Sequence, residues 1–412
     1  MKKNEKKIKI NGCVYDPQNP FIIAELGTSH NSDLKRAKLM IDAAKDSGAD
    51  CIKVQMVYTD EILHPNTGIV PLPTGNIRLY DRFKSLETSK DFYIEVKNYA
   101  ESRGILFLCT PFGLKSAKIL KELDPKAVKI ASPELNFTGL LEEIASWGIP
   151  ALLSTGVSRL SDIETAVEIF RNNLSQRRKD TKNAKEEENK ELRQNNSSLL
   201  GELGELSALA RKSSSSICLL HCVTAYPAPE TDYNLRVLPN LASIFGVSVG
   251  VSDHSASPDL IPALSVAMGA SAIEKHFCLS RNDPGLDDPI ALEPSDFSKM
   301  AKAVRRAAKE GADETIARFN TEKGAEFVEQ ILGNGVKELA LSEAANYNRT
   351  NRSIHALRDI NEGEILKRGD YAVLRTEKIL RPGLEPSFEK SIEGRIARNF
   401  IPSGEGIRFE DI

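Results

Sequence analysis

The stretch from Phe21 to Gln55 reads FIIAELGTSHNSDLKRAKLMIDAAKDSGADCIKVQ, and its reading decides the fold. It opens on a β-branched apolar run, Phe21-Ile-Ile-Ala-Glu25, and closes on another, Cys51-Ile-Lys-Val-Gln55. Between them Leu34, Ala37, Ile41 and Ala44 fall on one helical face, with Ser32 and Asp33 as cap candidates and Gly48 as terminator. Strand, helix, strand is one βαβ unit, because parallel neighbours need a crossover and that crossover is usually a helix.

The unit recurs along the chain. Further apolar runs are Ile105–Thr110, Ala127–Ile130, Ala151–Ser154, Cys218–His221, Val247–Val251 and Ala272–His276. Amphipathic stretches separate them. Ser161-Asp-Ile-Glu164 reads as a capping box ahead of Ile163, Val167 and Phe170, and Phe297, Met300, Val304 and Ala308 form a stripe between Pro294 and Gly311. Eight strands, seven crossovers and a closing helix predict an α/β fold, a TIM barrel over residues 21–315 behind an extension of 1–20. A doubly wound open sheet is the alternative, since strand count does not establish closure.

Two stretches interrupt the rhythm. Residues 56–87 form a long connection with Pro and Gly, of the kind that serves as a lid or binding loop. Residues 175–216 are charged, then Leu-rich from Leu199 to Ala210, then Ser-rich. They read as a dispensable solvated insertion on the face away from the strand ends. After a charged linker of 316–347, residues 348–412 alternate short strands with Gly turns, and Asp359-Ile-Asn-Glu-Gly-Glu364 returns loosely as Asn399-Phe-Ile-Pro-Ser-Gly-Glu405. This small, mostly-β domain has a slight core that calls for support from a partner surface.

Composition narrows the function. In 412 residues, 41% apolar and 27% charged give ample core and exclude a disordered or fibrous chain. Lys and Arg number 55 against 58 Asp and Glu, so a net charge of −3 exerts no general pull on nucleic acid or an anionic membrane. The charged start, Met1-Lys-Lys-Asn-Glu-Lys-Lys, lacks a signal peptide's apolar run, and the most apolar stretch, Leu260 to Ile273, is broken by Pro262. A cytoplasmic protein is expected. The six cysteines, Cys13, Cys51, Cys109, Cys218, Cys222 and Cys278, form no C-x-x-C pair and are expected as buried small hydrophobes.

In a parallel barrel the reacting groups come from the carboxyl ends of the strands. Here those ends are polar in all eight runs. They offer Glu25 with His30 and Asn31 beyond it; Lys53 and Gln55; Thr110; Lys129 with Ser132 and Glu134; Ser154; His221 with Thr224 and Tyr226; Ser252, Asp253 and His254; Glu274 and His276. A lone His or Lys there is ordinarily a bonded core residue or a snorkelling cation, but a Lys inside an apolar run is costly unless paired. Lys53 and Lys129, with the hydroxyls of Thr110, Ser132 and Ser154 and the amides near Gly156, suit a small multiply anionic substrate carrying phosphate or carboxylate. His254 and His276 come from adjacent strands and can share one metal with Glu25 or water, with His221 a further candidate. Two imidazoles among oxygen donors favour Mn2+, with Mg2+ or Co2+ also fitting, over a closed structural zinc. Asp287 and Asp288, in a Pro-Gly turn after the eighth run, reach the same rim.

Taken together, Phe21-Ile-Ile-Ala-Glu-Leu-Gly27 with His30-Asn31, Ile52-Lys-Val-Gln55, Cys109-Thr-Pro-Phe112, Val128-Lys-Ile-Ala-Ser-Pro-Glu134, Leu153-Ser-Thr-Gly156, Leu220-His-Cys222 with Tyr226-Pro227, Val251-Ser-Asp-His254, Glu274-Lys-His-Phe277 and Pro284-Gly-Leu-Asp287 resemble the N-acetylneuraminate (sialic acid) synthase family. Asp359-Ile-Asn-Glu-Gly-Glu364 and Leu380-Arg-Pro-Gly383 resemble that family's C-terminal antifreeze-like (SAF) domain. The resemblance spans nearly the whole chain outside 175–216. It implies a transferase that condenses phosphoenolpyruvate with an open-chain N-acetylated hexosamine, using a divalent metal, to give a nonulosonic (sialic-type) acid and phosphate. It implies phosphoenolpyruvate contacts from Lys53, Thr110, Lys129, Ser132, Ser154 and Ser252, and metal ligands at His254 and His276. Acid–base and sugar-orienting roles fall to Glu25, Glu134, Gln55, Tyr226 and Asp287. A domain-swapped homodimer is also implied, in which Arg381 of one subunit contacts the sugar in the other. Thr224 stands where sialic-acid-making members often carry Asn, which leaves N-acetylmannosamine or a related sugar as the acceptor. Two competing readings are a metal-dependent barrel aldolase or hydrolase, which needs a third strong ligand but not two lysines, and a non-catalytic sugar-binding scaffold, which predicts lost acids or ligands.

Overall fold

The computed structural model of the chain describes residues 7–72, 75–173, 217–377 and 379–412. The 175–216 insertion and residues 1–6 of the charged start lie outside them. All eight apolar runs are strands: Phe21–Gly27, Cys51–Met56, Leu106–Pro111, Val128–Ile130, Ala151–Ser154, Ile217–Cys222, Ser248–Asp253 and Ala272–His276. Hydrogen-bonded order runs third, second, first, eighth, seventh, sixth, fifth, fourth, and every ladder is parallel. The decisive ladder joins the eighth strand to the first, from Ala272 opposite Phe21 to His276 opposite Glu25. An open sheet would hold these two apart. With the third and fourth strands side by side at the remaining seam, the sheet curls into a nearly closed TIM barrel.

Alternate residues of each strand face the axis. Near the amino ends these are apolar: Phe21, Ile23, Cys51, Leu108, Leu152, Cys218, Leu220 and Ala272 form one buried cluster. An antiparallel hairpin, Ile8–Ile10 with Cys13–Tyr15, lays Ile8, Ile10 and Tyr15 onto that cluster and plugs the barrel. Burial of each large side chain there contributes on the order of 1.5–3 kcal/mol. Residues of the opposite parity, such as Ile22, Ala24, Ile52 and Val54, pack outward against the helices. Cys13, in the hairpin, is exposed against expectation, because its strand covers the barrel from outside; the other five cysteines are buried.

The helices follow their caps. Asp33 accepts from the N–H groups of Lys35 and Arg36 at the start of Leu34–Asp46. The helix expected from Ser161 covers 160–173 instead, and Asp162 accepts from the Arg159 N–H at 2.7 Å, which moves the cap upstream. The charged connector is no bare linker. It holds helices Ala312–Lys323 and Ala325–Leu332, whose buried Phe319, Val328, Ile331 and Leu332 join the outer layer of the core. A narrow apolar stripe was hidden there among charges.

The 56–87 connection likewise has structure of its own. It carries a short helix, Leu79–Lys84, a hairpin of Ile69–Leu72 with Gly75–Arg78, and a small core that includes Val57, Ile62, Leu63 and Phe112. The C-terminal domain rests on it. Ile62 O accepts from Arg375 N at 2.8 Å, and Ser403 O accepts from Asn66 Nδ2 at 2.9 Å. In that domain Arg352–Ala356 pairs antiparallel with Tyr371–Arg375. The two similar elements of its sequence meet each other, since Ile360 and Ile401 exchange both backbone hydrogen bonds at 3.0 and 2.9 Å. Gly383 of the Arg-Pro-Gly motif is required by a backbone crossing: a Cβ on it would stand 2.1 Å from Ile354 O. Among the described residues no helix is long and apolar enough to cross a membrane.

Candidate active site

Above the apolar plug the inward residues carry charge. Lys53 Nζ lies 2.9 Å from Glu25 Oε2 and 3.2 Å from Glu274 Oε1, and donates to Thr110 Oγ1 at 3.4 Å. Lys129 Nζ donates to Ser154 Oγ at 2.6 Å and to Ile130 O at 3.0 Å, and stands 3.8 Å from Glu274 Oε1. Ser252 Oγ donates to Glu274 Oε1 at 2.9 Å, and Gln55 Nε2 to Glu25 Oε1 at 2.8 Å. Register explains the gathering, because Glu25 lies opposite Lys53, Gln55 opposite Thr110, and Ser252 opposite Glu274. Neighbouring strands set these residues at one height, and parity turns them all inward.

Two lysines and two glutamates in a dry mouth set each other's charge. Burial opposes ionisation of Lys53, but Glu25 and Glu274 outweigh it and lift the pKa. Burial opposes ionisation of Glu274 too, yet Lys129 and Lys53 hold it at about 2. For Lys129 burial prevails over its more distant carboxylate, and its pKa falls to about 8. Lys129 is therefore the less compensated of the two lysines in the mouth, and an anion there would complete its pairing. Beside it Ser132 Oγ accepts from the Gly156 N–H at 3.0 Å. A Cβ at 156 would stand 2.2 Å from Thr224 Oγ1 and 2.9 Å from Ser132 Oγ, so only glycine lets these hydroxyls close over the backbone.

The histidines lie on the other side of the mouth. The rings of His254 and His276 are 5.4 Å apart, and Tyr226, 42% exposed, stacks on His254 at 4.4 Å. His254 Nδ1 donates to Val223 O at 2.9 Å, which leaves Nε2 free. His276 Nδ1 lies 3.9 Å from Asp287 Oδ2. Asp287 Oδ2, Gln55 Nε2 and Glu25 Oε1 each lie 3.5 Å from where a Cβ of Gly27 would sit, so the histidine side and the lysine side share one rim. Burial first, and His254 second, drive His276 down to about 3, which keeps it in the neutral form a metal ligand needs. Burial also opposes charge on His254, but Cys222, 3.7 Å away, lifts it to about 9. Among the described residues no three His, Cys, Asp or Glu side chains already surround one metal position. The donor set is two imidazoles with carboxylates at the rim, which fits an open divalent site and not a closed zinc.

Other expected site residues are engaged elsewhere. His221 has the outward parity of Leu219, bonds Tyr233 O at 2.6 Å and is driven by burial to about 3, so it is no ligand for the barrel mouth. Glu134 is committed to the C-terminal domain: its Oε1 accepts from Arg352 Nε at 3.1 Å and from Arg375 Nη2 at 2.7 Å. Within the single chain that domain sits on its own barrel. Arg381 donates to Gly406 O at 2.9 Å and pairs with Asp411 within the domain. His30 Nδ1 accepts from the Ser32 N–H at 3.1 Å, and Asp288 Oδ2 from the Gly285 N–H at 2.8 Å, both as turn contacts. The sequence offered Glu274 only as a polar strand end without a role, whereas it is the centre of the network, a place that its parity with Ala272 and His276 signalled. It passed over Arg352 and Arg375 entirely.

Comparison with known proteins meets this geometry. Residues 40–315 match the NeuB family, and residues 351–412 match the SAF domain. The chain belongs to the NeuB family. A pseudaminic acid synthase of Campylobacter jejuni is 32% identical over 399 residues, covering 95% of this chain and 96% of the relative. An N,N'-diacetyllegionaminic acid synthase of the same species is 30% identical over 392 residues, covering 94% and 98%. The crystal structure of SpsE, a spore coat polysaccharide biosynthesis protein of Bacillus subtilis, superposes with a TM-score of 0.74 at 29% identity, covering 98% of this chain and 99% of that one. The NeuB match ends at 315 and the SAF match begins at 351, so the helical connector between them lies in neither.

Proposed function

We propose that this NeuB-family protein is a synthase that joins phosphoenolpyruvate to the open-chain aldehyde of an N-acetylated hexosamine, giving a nonulosonic acid and phosphate, with a divalent metal such as Mn2+. One observation carries the reading: Lys53, Glu274 and Lys129 form a buried cradle beside the His254 and His276 pair. An anion cradle and an aldehyde-activating centre in one mouth are what the condensation requires, and the relatives named as synthases support it. An aldolase or hydrolase reading leaves two buried lysines without a task, and burying them without one is costly. The acceptor is N-acetylmannosamine or a diacetamido relative of it.

In this reading Lys129 and Ser154 hold the anionic oxygens of phosphoenolpyruvate, with Lys53, Thr110, Ser132 and Ser252 around them. The metal, when bound by His254 and His276, supplies Lewis-acid polarisation of the aldehyde oxygen. C3 of the enol attacks the aldehyde carbon to form the new carbon–carbon bond, and the aldehyde oxygen takes a proton from Asp287, whose pKa burial raises. Water adds at C2 and gives one proton to Glu25, which Gln55 and Lys53 hold in place. The bond from C2 to the phosphate oxygen then breaks, the second water proton leaves with phosphate, and C2 becomes the ketone. Tyr226 faces the sugar, and Arg381, which pairs with Asp411 in the single chain, reaches it from the other subunit. The working unit is a homodimer with exchanged C-terminal domains, so that the bonds from Arg352 and Arg375 to Glu134 are made between subunits; the domain's slight core supports this.

Purified protein incubated with phosphoenolpyruvate, Mn2+ and a panel of N-acetylated hexoses is expected to release phosphate only when the right sugar is present. Release without any sugar would favour a hydrolase, and no release with any sugar would overturn the reading.

A further inference from the structure

The connector and the start of the C-terminal domain grip two loops on the lysine side of the mouth. Glu343 is 1% exposed, and its Oε2 accepts from the N–H of Val157 at 3.0 Å and from that of Thr224 at 2.8 Å. Asn351 Nδ2 donates to Val157 O at 3.0 Å, and Asn346 Nδ2 to Thr224 O at 3.1 Å. Both backbone groups of Val157, and both of Thr224, are thus taken by side chains from the connector region and not by the strands that carry the loops.

What the grip holds is unusual. Val157 has a φ of +39°, in the left-handed region that a β-branched residue resists. It directly follows Gly156, whose N–H is bonded to Ser132. Thr224 is 7% exposed, and its Oγ1, poised over Gly156, has no hydrogen-bond partner. A buried hydroxyl without a partner, next to Ser132 over Gly156, leaves a place for an oxygen-rich group.

We propose that Glu343, with Asn346 and Asn351, is a positioning set: the seated connector holds Val157 in its strained turn and so aims Gly156 and the Thr224 hydroxyl at the phosphoryl group of phosphoenolpyruvate. This rests on the reading of the mouth as a phosphoenolpyruvate site, and it adds that the phosphate side is fully formed only when the connector is docked. The C-terminal domain then governs phosphoenolpyruvate affinity as well as sugar use.

Glu343→Ala and Asn351→Ala, compared with the wild-type chain, test this by hydrogen exchange at residues 155–158 and 222–226 and by calorimetric titration with phosphoenolpyruvate. Faster exchange at residues 155–158 is expected in both variants, and at 222–226 in Glu343→Ala, with affinity weakened roughly tenfold and the KM for sugar unchanged. Two rescues separate positioning from loss of fold. Glu343→Gln keeps an acceptor oxygen for both amides and retains affinity within about twofold. Val157→Gly, which takes a positive φ without strain, restores affinity in the Glu343→Ala background. Faster exchange with unaltered phosphoenolpyruvate affinity overturns the proposal, as does a loss that neither rescue repairs. Wild-type protein that binds no phosphoenolpyruvate removes the underlying reading, and it is told apart because wild type and variants then titrate alike.

Discussion

The two ends of the barrel are built from the same eight strands and share almost no chemistry. At the amino end Phe21, Ile23, Leu108 and Leu220 close on a hairpin plug. Only a step of two residues further along the same strands, Glu25, Lys53 and Glu274 face one another. Period-two parity keeps both sets on the axis, so one strand such as Phe21–Gly27 serves stability with its first inward residues and chemistry with its last. Apolar burial below offsets the cost of desolvating the charges above.

If that division is right, the two ends fail differently. The largest effect belongs to Lys129→Met, which should lower phosphoenolpyruvate affinity more than about a hundredfold while circular dichroism stays native, since Lys53 still pairs with Glu274. Unaltered affinity by calorimetry would break the comparison at its centre. Next in size is a complementation test of the exchanged dimer. Arg381→Ala and Lys129→Met subunits, each inactive by itself with both substrates, should regain activity when mixed, because one site in the heterodimer recovers both groups. Mixtures shown by mass to have exchanged subunits, yet still inactive, would mean that each domain covers its own barrel.

At the amino end the expectation reverses. Leu220→Ala should lower stability by about 2–5 kcal/mol in denaturant titration and leave phosphoenolpyruvate affinity unchanged at temperatures where the protein is folded. The smallest effect is a pH dependence. Lys129 has a pKa of about 8, below the usual Lys value, so the cradle is charged below that pH and affinity falls by up to about tenfold per unit above it. Stability moves the other way, because the unfolded chain holds this proton more tightly than the folded one. The penalty is fully present below about 8 and is relieved as pH rises toward the ordinary Lys range of about 10. Affinity and stability that change in the same direction over this interval would contradict the assignment.

The barrel was legible because its signals are local: β-branched runs, caps and glycines within a few residues of one another. Lys53 and Lys129 were legible for the same reason, each being a cation in an apolar run. The remainder depends on contacts far apart in sequence. Glu134 meets Arg352 across 218 residues and Arg375 across 241, and nothing local marks either arginine as a partner. Glu343 reaches Val157 across 186 residues, from a connector whose charge made it read as a linker. His221 shows the opposite failure, where a suggestive residue type at a strand end was on the wrong parity, outside the barrel. Counting alternate positions from Leu220, an inward residue, would have placed it correctly.

The central claim is that this mouth joins two substrates by carbon–carbon bond formation and does not hydrolyse a phosphate ester at phosphorus. The direct measurement is to run the reaction in water enriched in heavy oxygen, with phosphoenolpyruvate, Mn2+ and the accepted sugar, and to weigh both products by mass spectrometry. Addition of water at C2 predicts unlabelled phosphate and label in the keto acid under conditions where the ketone does not exchange. Heavy oxygen in the phosphate would contradict the account.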